Sequence, residues 1–305
     1  MQMDRRRMLA GLGGTALCAA PTTSIARTMM EFGHSRIIGI SDGNLVLPGS
    51  FYFDALPQDA LPPLLSKYNL SRDQLTPPCN LTLLRQPDRT VLFDAGAGSA
   101  FMPSAGEMLN SLDAEGLTPD DITHVVFTHA HPDHLWGILD DFDDPVFPQA
   151  QLMMGQAEWT YWTDPDTVDT IDEARASFAV GAARRLAAVR KQITLFDGGE
   201  EILPGIMAHS TPGHTPGHMS FEIREGTDAV MVGGDAIANH HIAFEHPDWP
   251  NAADQDPNLG AQTRLRLLDQ LVDDELPLLG FHLPHGGLGR VERSDDTYRF
   301  VPEDA

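Results

Sequence analysis

The six residues HAHPDH gather His129, His131, Asp133 and His134 into one short loop. Imidazole and carboxylate are the usual protein ligands of zinc and related divalent cations. A loop turned by Pro132 can offer two imidazoles to one cation and a carboxylate–imidazole pair to a second. One loop cannot complete two coordination spheres, so further ligands must come from elsewhere in the chain. His214 and His218 stand in STPGHTPGHMS, Asp235 closes MVGGDA, and His282 and His285 lie in GFHLPHGG. Pro and Gly around His214 give a rigid turn, and the glycines before Asp235 permit close backbone approach, so that its carboxylate can bridge two cations.

Two divalent cations a few ångströms apart can share a water and lower its pKa from about 15.7 toward about 7. The hydroxide attacks a carbonyl carbon or a phosphorus while one cation polarises the substrate oxygen and the other stabilises the leaving oxygen. Asp235 as the bridge and Asp133 as ligand and proton shuttle are the expected catalytic carboxylates. No protein nucleophile is required: no GxSxG occurs, and Cys79 stands in no motif that marks a catalytic thiol.

These groups need strands to place them. The runs ITHVVFTH, AVMVGGD and LPLLGFH each end an apolar stretch on His or Asp, as strand ends converging on one rim would. RIIGISDGNLVL reads as a hairpin, and LTLLRQPDRTVLFDAG as another with its turn at Pro87-Asp88. QLMMG, GIMAHS and HMSFEIR read as further strands. Helical periodicity covers residues 104–115, 172–190 and 257–274, the last with Leu265, Leu268, Leu271 and Val272 on one stripe. Strands outnumber helices and the helices interrupt them irregularly, which favours layered sheets flanked by helices over a doubly wound parallel sheet.

The 305 residues, 42% hydrophobic with no apolar run near 18 residues, suit one large domain without a membrane span. A formal charge of -24 disfavours nucleic acid as a partner and leaves a small molecule as the expected one. Residues 1–26 differ in character: Arg5, Arg6 and Arg7 precede a weakly apolar Gly/Ala-rich stretch and a small-x-small site at Ser24-Ile25-Ala26. This reads as an export signal suited to the twin-arginine route, with residues 27–305 as the mature domain in the periplasm or secreted. Cys18 lies inside that segment, so the mature chain keeps one cysteine and no internal disulfide.

The motif His-x-His-x-Asp-His, with RTVLFDAGAG, TPGHTPGH, GGDA, HPDWPNAADQDP and LGFHLPHGGLGRV, resembles the metallo-β-lactamase superfamily of hydrolases. Within it the chain is most similar to the branch of methyl parathion hydrolase-like and acyl-homoserine lactonase-like enzymes. The resemblance runs over about residues 37 to 302 and implies an α+β fold, a four-layer αβ/βα sandwich. It implies two divalent metal ions per chain, zinc first, with manganese, iron or cobalt also suited to the donors. Carried over by position, it puts His129, His131 and His214 on one ion and Asp133, His134 and His282 on the other, with Asp235 bridging. His282 is preferred to His285 because it ends the apolar run. His285 replaces an aromatic residue of the family and becomes either a pocket-wall group or a solvent-facing turn residue.

His218 is expected to be structural, and Asp94 to orient a ligand histidine or simply to form a turn. Phe51 and Phe53 in an aromatic lid, and Trp159 and Trp162 after a strand, are the other candidate pocket residues. True β-lactamases lack a carboxylate at the Asp235 position, so the resemblance implies a small lactone or ester, or a phosphotriester, as substrate. Relatives of the lactonase kind often form homodimers. The competing expectations are a phosphotriesterase as the main activity, a mononuclear iron oxygenase, and a non-catalytic metal-binding protein of the same fold.

Overall fold

The apolar runs assemble as two seven-stranded sheets packed face to face in a computed structural model, which describes residues 28–303. The export segment at residues 1–26 lies outside the described residues. In spatial order the first sheet contains Thr28–Phe32, Ser35–Asn44, Pro78–Arg85, Thr90–Phe93, His124–Val126, Gln151–Gly155 and Ile193–Phe196. Its first four strands pair antiparallel and the rest parallel. The second sheet contains Glu201–Leu203, Ile206–Ser210, Met219–Glu225, Asp228–Gly234, Leu278–Gly280, Leu288–Ser294 and Thr297–Pro302. All its neighbours are antiparallel except Asp228–Gly234 with Leu278–Gly280.

Side-chain alternation explains the layering. Leu84, Val91, Phe93, Val126 and Met153 face the second sheet, where they meet Ala208, Phe221, Val230, Val232 and Leu279. Their neighbours Leu83, Leu92, Val125, Leu152 and Met154 face outward under a helical layer that includes Met108–Ala114 and Ala176–Val189. Central strands buried on both faces must be apolar throughout, as these are. On the other side Met231, Leu278 and Val291 pack under Ile242–Glu245 and Pro257–Asp273 through Phe244, Leu267, Leu268 and Leu271. The order helix, sheet, sheet, helix is the expected αβ/βα sandwich. Among the described residues no helix is long and apolar enough to cross a membrane.

Two local readings are corrected. RIIGISDGNLVL is one strand, Ser35–Asn44, followed by the short Leu47–Pro48. The Asp-Gly-Asn turn signal misleads because the Asp42 carboxylate accepts the backbone N–H of Ala97 (2.7 Å) and Met108 (2.8 Å) instead of closing a hairpin. The helix read over 104–115 begins at Met108, since Ser104 gives its carbonyl to the Asn44 N–H and Gly106 takes a positive φ of 92°. The long C-terminal helix starts as its sequence suggests, with Pro257 in the first turn and the Asp256 carboxylate accepting from the Leu259 N–H at 3.0 Å.

Candidate metal centre

Four strand ends meet at one rim of the sandwich. His124–Val126 leads into the 128–134 loop, Ile206–Ser210 into the turn of His214, Asp228–Gly234 into Asp235, and Leu278–Gly280 into His282. Pro132 opens a single helical turn, Pro132–Leu135, which brings Asp133 and His134 back over the rim.

The result is two groups of buried donors, His129, His131 and His214 in one and Asp133, His134, Asp235 and His282 in the other. Within each group the donor atoms all lie within 4.8 Å of one another. Asp235 touches both: its Oδ2 is 3.3 Å from His214 Nε2 and 3.4 Å from His282 Nε2, and its Oδ1 is 3.4 Å from His134 Nε2. Asp133 Oδ2 is 3.3 Å from His282 Nε2 and 3.5 Å from His134 Nε2.

These residues fit metal ions. Donors about 2.1 Å from a tetrahedral centre are separated by about 3.4 Å, the spacing of the second group. His129 Nε2, His134 Nε2 and Asp235 Oδ1 are fully buried and have no hydrogen-bond partner. Buried polar atoms are rarely left so. The second group therefore has the donors, the spacing and the unmet valence for one cation; in the first, His129 Nε2 and His131 Nε2 are unpartnered while His131 Nδ1 and His214 Nε2 lie 2.8 Å apart.

The surrounding shell fixes which ring nitrogen faces inward. Asp94, with its own φ at +64°, accepts from the Thr128 N–H (2.7 Å) and hydroxyl (2.8 Å) and from His134 Nδ1 (2.8 Å). His134 thus presents Nε2, and Asp94 orients this histidine. His282 Nδ1 donates to the Pro78 carbonyl at 2.7 Å, and His214 Nδ1 to Asp254 at 3.2 Å. Such outer contacts set tautomer and ring orientation.

His218 is structural, as expected. Its Nε2 accepts the Asp235 N–H at 2.9 Å and its Nδ1 faces the Thr211 hydroxyl at 2.8 Å, so both nitrogens are used. Gly234 must be glycine here: its φ is +54°, and a Cβ would lie 2.6 Å from His218 Nε2.

Charge divides the groups. Burial, then the neighbouring imidazoles, hold His129 and His131 well below the usual histidine range, as neutral lone-pair donors. Burial also opposes charge on His134 and His282, yet the Asp235 and Asp133 carboxylates outweigh it and raise both. Burial likewise opposes ionisation of Asp133 and Asp235, and the same imidazoles hold both carboxyls below their ordinary range.

One essential support escaped the sequence reading. Glu158 is wholly buried; Oε1 accepts from the Ala130 N–H (2.9 Å) and the Trp162 indole (2.6 Å). Its Oε2 accepts from the Thr215 hydroxyl (2.8 Å) and the Gly217 N–H (3.0 Å). It ties the loop of His129 and His131 to the turn of His214.

The rim opens beside His282 into a cavity of about 400 Å3 whose lining includes Tyr52, Leu70, Leu75, Asn239 and His241. Phe51, Phe53, Trp159, Trp162 and His285 do not line this cavity. Phe53 fills a small core with Leu61 and Leu64, leaving Tyr52 toward the cavity. Trp162 is buried under His131 by its bond to Glu158, and Trp159 packs on the main core. Phe51 is surface-exposed, edge-on to Tyr52. His285 is exposed in the next turn, with φ at +55°, while His282 joins the second group. His282→Ala is accordingly expected to lose about one bound metal per chain and His285→Ala none, read by plasma emission.

His241 gives a pH prediction. Burial, then the neighbouring His240, lowers its pKa to about 3. The unfolded chain takes up that proton near pH 6.5 and the folded chain only near 3, so this contribution is complete above about 6.5 and is lost as pH falls. Urea melts between pH 6 and 4 should show wild type losing up to about 1.4 kcal/mol per pH unit more than His241→Phe. Parallel slopes would contradict a buried neutral His241.

Comparison with known proteins agrees with this construction. The sequence profile of the Metallo-beta-lactamase superfamily matches residues 76–280, more than half of the chain. Uncharacterized protein YobT of Bacillus subtilis (strain 168) is 32% identical over 161 residues, 52% of this chain and 62% of that one. An N-acyl homoserine lactonase of Bacillus thuringiensis is 25% identical over 181 residues, 59% of this chain and 63% of its own. Both matches thus span less than two thirds of the relatives' length. The solved structure of AidC, a dizinc quorum-quenching lactonase, superposes with a TM-score of 0.86 over 92% of this chain and 98% of that one, at 24% identity, which speaks for the fold. On fold, donor set and profile match together, the chain belongs to the metallo-beta-lactamase superfamily.

Proposed function

We propose that the protein is a dinuclear metal-dependent hydrolase that opens small lactones, N-acyl homoserine lactones foremost. The observation that carries this reading is Asp235, one carboxylate in contact with both donor groups. The lactonase relative in Bacillus thuringiensis supports the substrate class. His129, His131 and His214 would hold one ion, Asp133, His134 and His282 the other, and Asp235 would serve both. Zinc is the proposed metal, and manganese, iron or cobalt would suit the same donors. Two such cations supply Lewis-acid polarisation of the scissile carbonyl and ionisation of water near neutral pH.

The chain's own residues do the rest. His218 fixes the Asp235 peptide, and Asp94 and the Pro78 carbonyl aim His134 and His282 inward. Asp133 takes the proton lost by the attacking water and returns it to the alkoxide released as the ring C–O bond breaks. A neutral aryl phosphotriester is the second reading, favoured by the absence of Asp, Glu, Lys and Arg from the cavity lining. The Arg5–Arg7 cluster and the Ser24-Ile25-Ala26 site support export and action in the periplasm.

Metal content of protein purified without chelator, paired with initial rates on an acyl lactone, an aryl ester and an aryl phosphotriester, tests the proposal. About two metals and fastest turnover of the lactone are expected. One iron with oxygen consumption, or two metals and no turnover, would overturn it in favour of an oxygenase or a binding protein.

A further inference from the structure

Arg175 is a half-buried cation beside the first donor group that the metal centre does not use. It caps the start of Ala176–Val189, and in that helix Phe178 stands edge-on to the His131 ring at 5.8 Å. Its Nη2 reaches across to the Ala252 carbonyl at 2.6 Å. Two residues further on, the Asp254 carboxylate meets His214 Nδ1. The guanidinium thus spans two segments that each touch a ligand of the first group, and its positive charge bears on His131.

An arginine fork carries several N–H donors and keeps its charge at any ordinary pH. Among the described residues Arg175 spends it on the Ala252 carbonyl alone and forms no ion pair. The acids whose charge it feels, Asp172 and Asp254, are engaged elsewhere. Asp172 accepts the Ala174 N–H at 2.9 Å, and Asp254 meets His214 and Arg264. Arg264, by contrast, is 2% exposed and already holds the Pro247 and Trp249 carbonyls as well as Asp254. In a chain of formal charge -24, a half-buried cation with most of its fork unspent is a place for an anion.

Ring opening turns a neutral lactone and one water into an alcohol and a carboxylate, with one proton released to solvent. We propose that Arg175 binds the carboxylate so formed, on the side of the first donor group, and is a product-binding residue that the uncharged substrate does not engage. The proposal rests on the hydrolase reading and adds to it where the new charge goes, and which side chain receives it. A planar fork matches a carboxylate with two parallel hydrogen bonds, and such charge-assisted bonds are roughly twice as strong as those to a neutral ester.

In the test the metal-loaded protein turns over a γ-lactone in the presence of its own hydroxy acid, or of the hydroxy amide that carries a carboxamide in place of the carboxylate. Arg175→Gln keeps a donor for the Ala252 carbonyl and removes the charge. In it the inhibition constant of the acid should rise by roughly tenfold, while that of the amide and the KM of the lactone change by less than about twofold. Arg175→Lys restores the charge without the fork and should recover part of the loss. A merely structural role would weaken acid, amide and lactone in proportion, which overturns the assignment.

Calorimetric titration of the same proteins with the acid and the amide separates this proposal from the hydrolase reading. Binding of the acid that Arg175→Gln weakens, with no turnover of the lactone, would keep Arg175 as a carboxylate-binding residue and reject the lactone as substrate. Turnover of the lactone with equal affinity of wild type and Arg175→Gln for the acid would do the reverse.

Discussion

Asp235→Ala is expected to lower kcat/KM by about a thousandfold and to reduce bound metal from about two per chain to one or fewer. The carboxylate contacts His214 in one group and His134 and His282 in the other, so its loss removes negative charge from both at once. Removing one preorganised electrostatic group at a reacting centre costs about a hundred- to thousandfold in rate, and a carboxylate shared by both groups belongs at the upper end. Asp235→Asn keeps one oxygen and should fall between. Plasma emission on each purified variant, beside lactone initial rates, reads both effects. Asp235→Ala that still holds two metals would show that the two groups do not depend on a shared carboxylate.

Glu158→Ala should produce the largest loss of stability of any single change in the supporting shell, several kcal/mol and on the order of 10 °C in Tm. It strands four buried donors: the N–H groups of Ala130 and Gly217, the Thr215 hydroxyl and the Trp162 indole. Hydrogen bonds to a charged group contribute about 1.5–3 kcal/mol each, and buried donors left unpaired add their desolvation cost. Glu158→Gln preserves volume but turns one acceptor into a donor facing two donors, so it should recover only part of the loss. Metal affinity should fall with stability, because Ala130 sits between His129 and His131 and Thr215 follows His214. Urea and thermal melts of the three proteins decide it; a change under about 1 kcal/mol in Glu158→Ala would mean that the two loops are held by something else.

The metal groups were legible because His129, Asp235 and His282 follow apolar strand runs, His131, Asp133 and His134 crowd into one short loop, and His214 sits in a Pro/Gly turn. The order of layers was legible too, since Leu83-Leu84, Val91 to Phe93 and Leu152 to Met154 are apolar at every position, as strands covered on both faces must be. Glu158 was not legible. A single carboxylate in EWTYWT looks like any surface helix residue, and two of its partners, Thr215 and Gly217, lie almost sixty positions away. Asp42 was misread because Asp-Gly-Asn is a strong local turn signal, overridden by contacts to Ala97 and Met108 that only the fold creates. The outer hairpin Leu288–Ser294 with Thr297–Pro302 was missed since Arg and Glu interrupt it on the solvent side. The cavity beside His282 was not legible either: Asn239 and His241, which line it, carry no local signal, and Leu75 lines it while packing in the same small core as Phe53.

Both donor groups draw on both sheets, and this constrains how the protein is made. His129 and His131 come from the first sheet, but their third partner, His214, comes from the second; Asp133 and His134 wait for Asp235 and His282. During synthesis a ribosome that has delivered only the first sheet has produced four ligands with neither set complete. The second set closes only when residue 282 has been translated. Neither donor set can be complete before strands of the second sheet have joined the first.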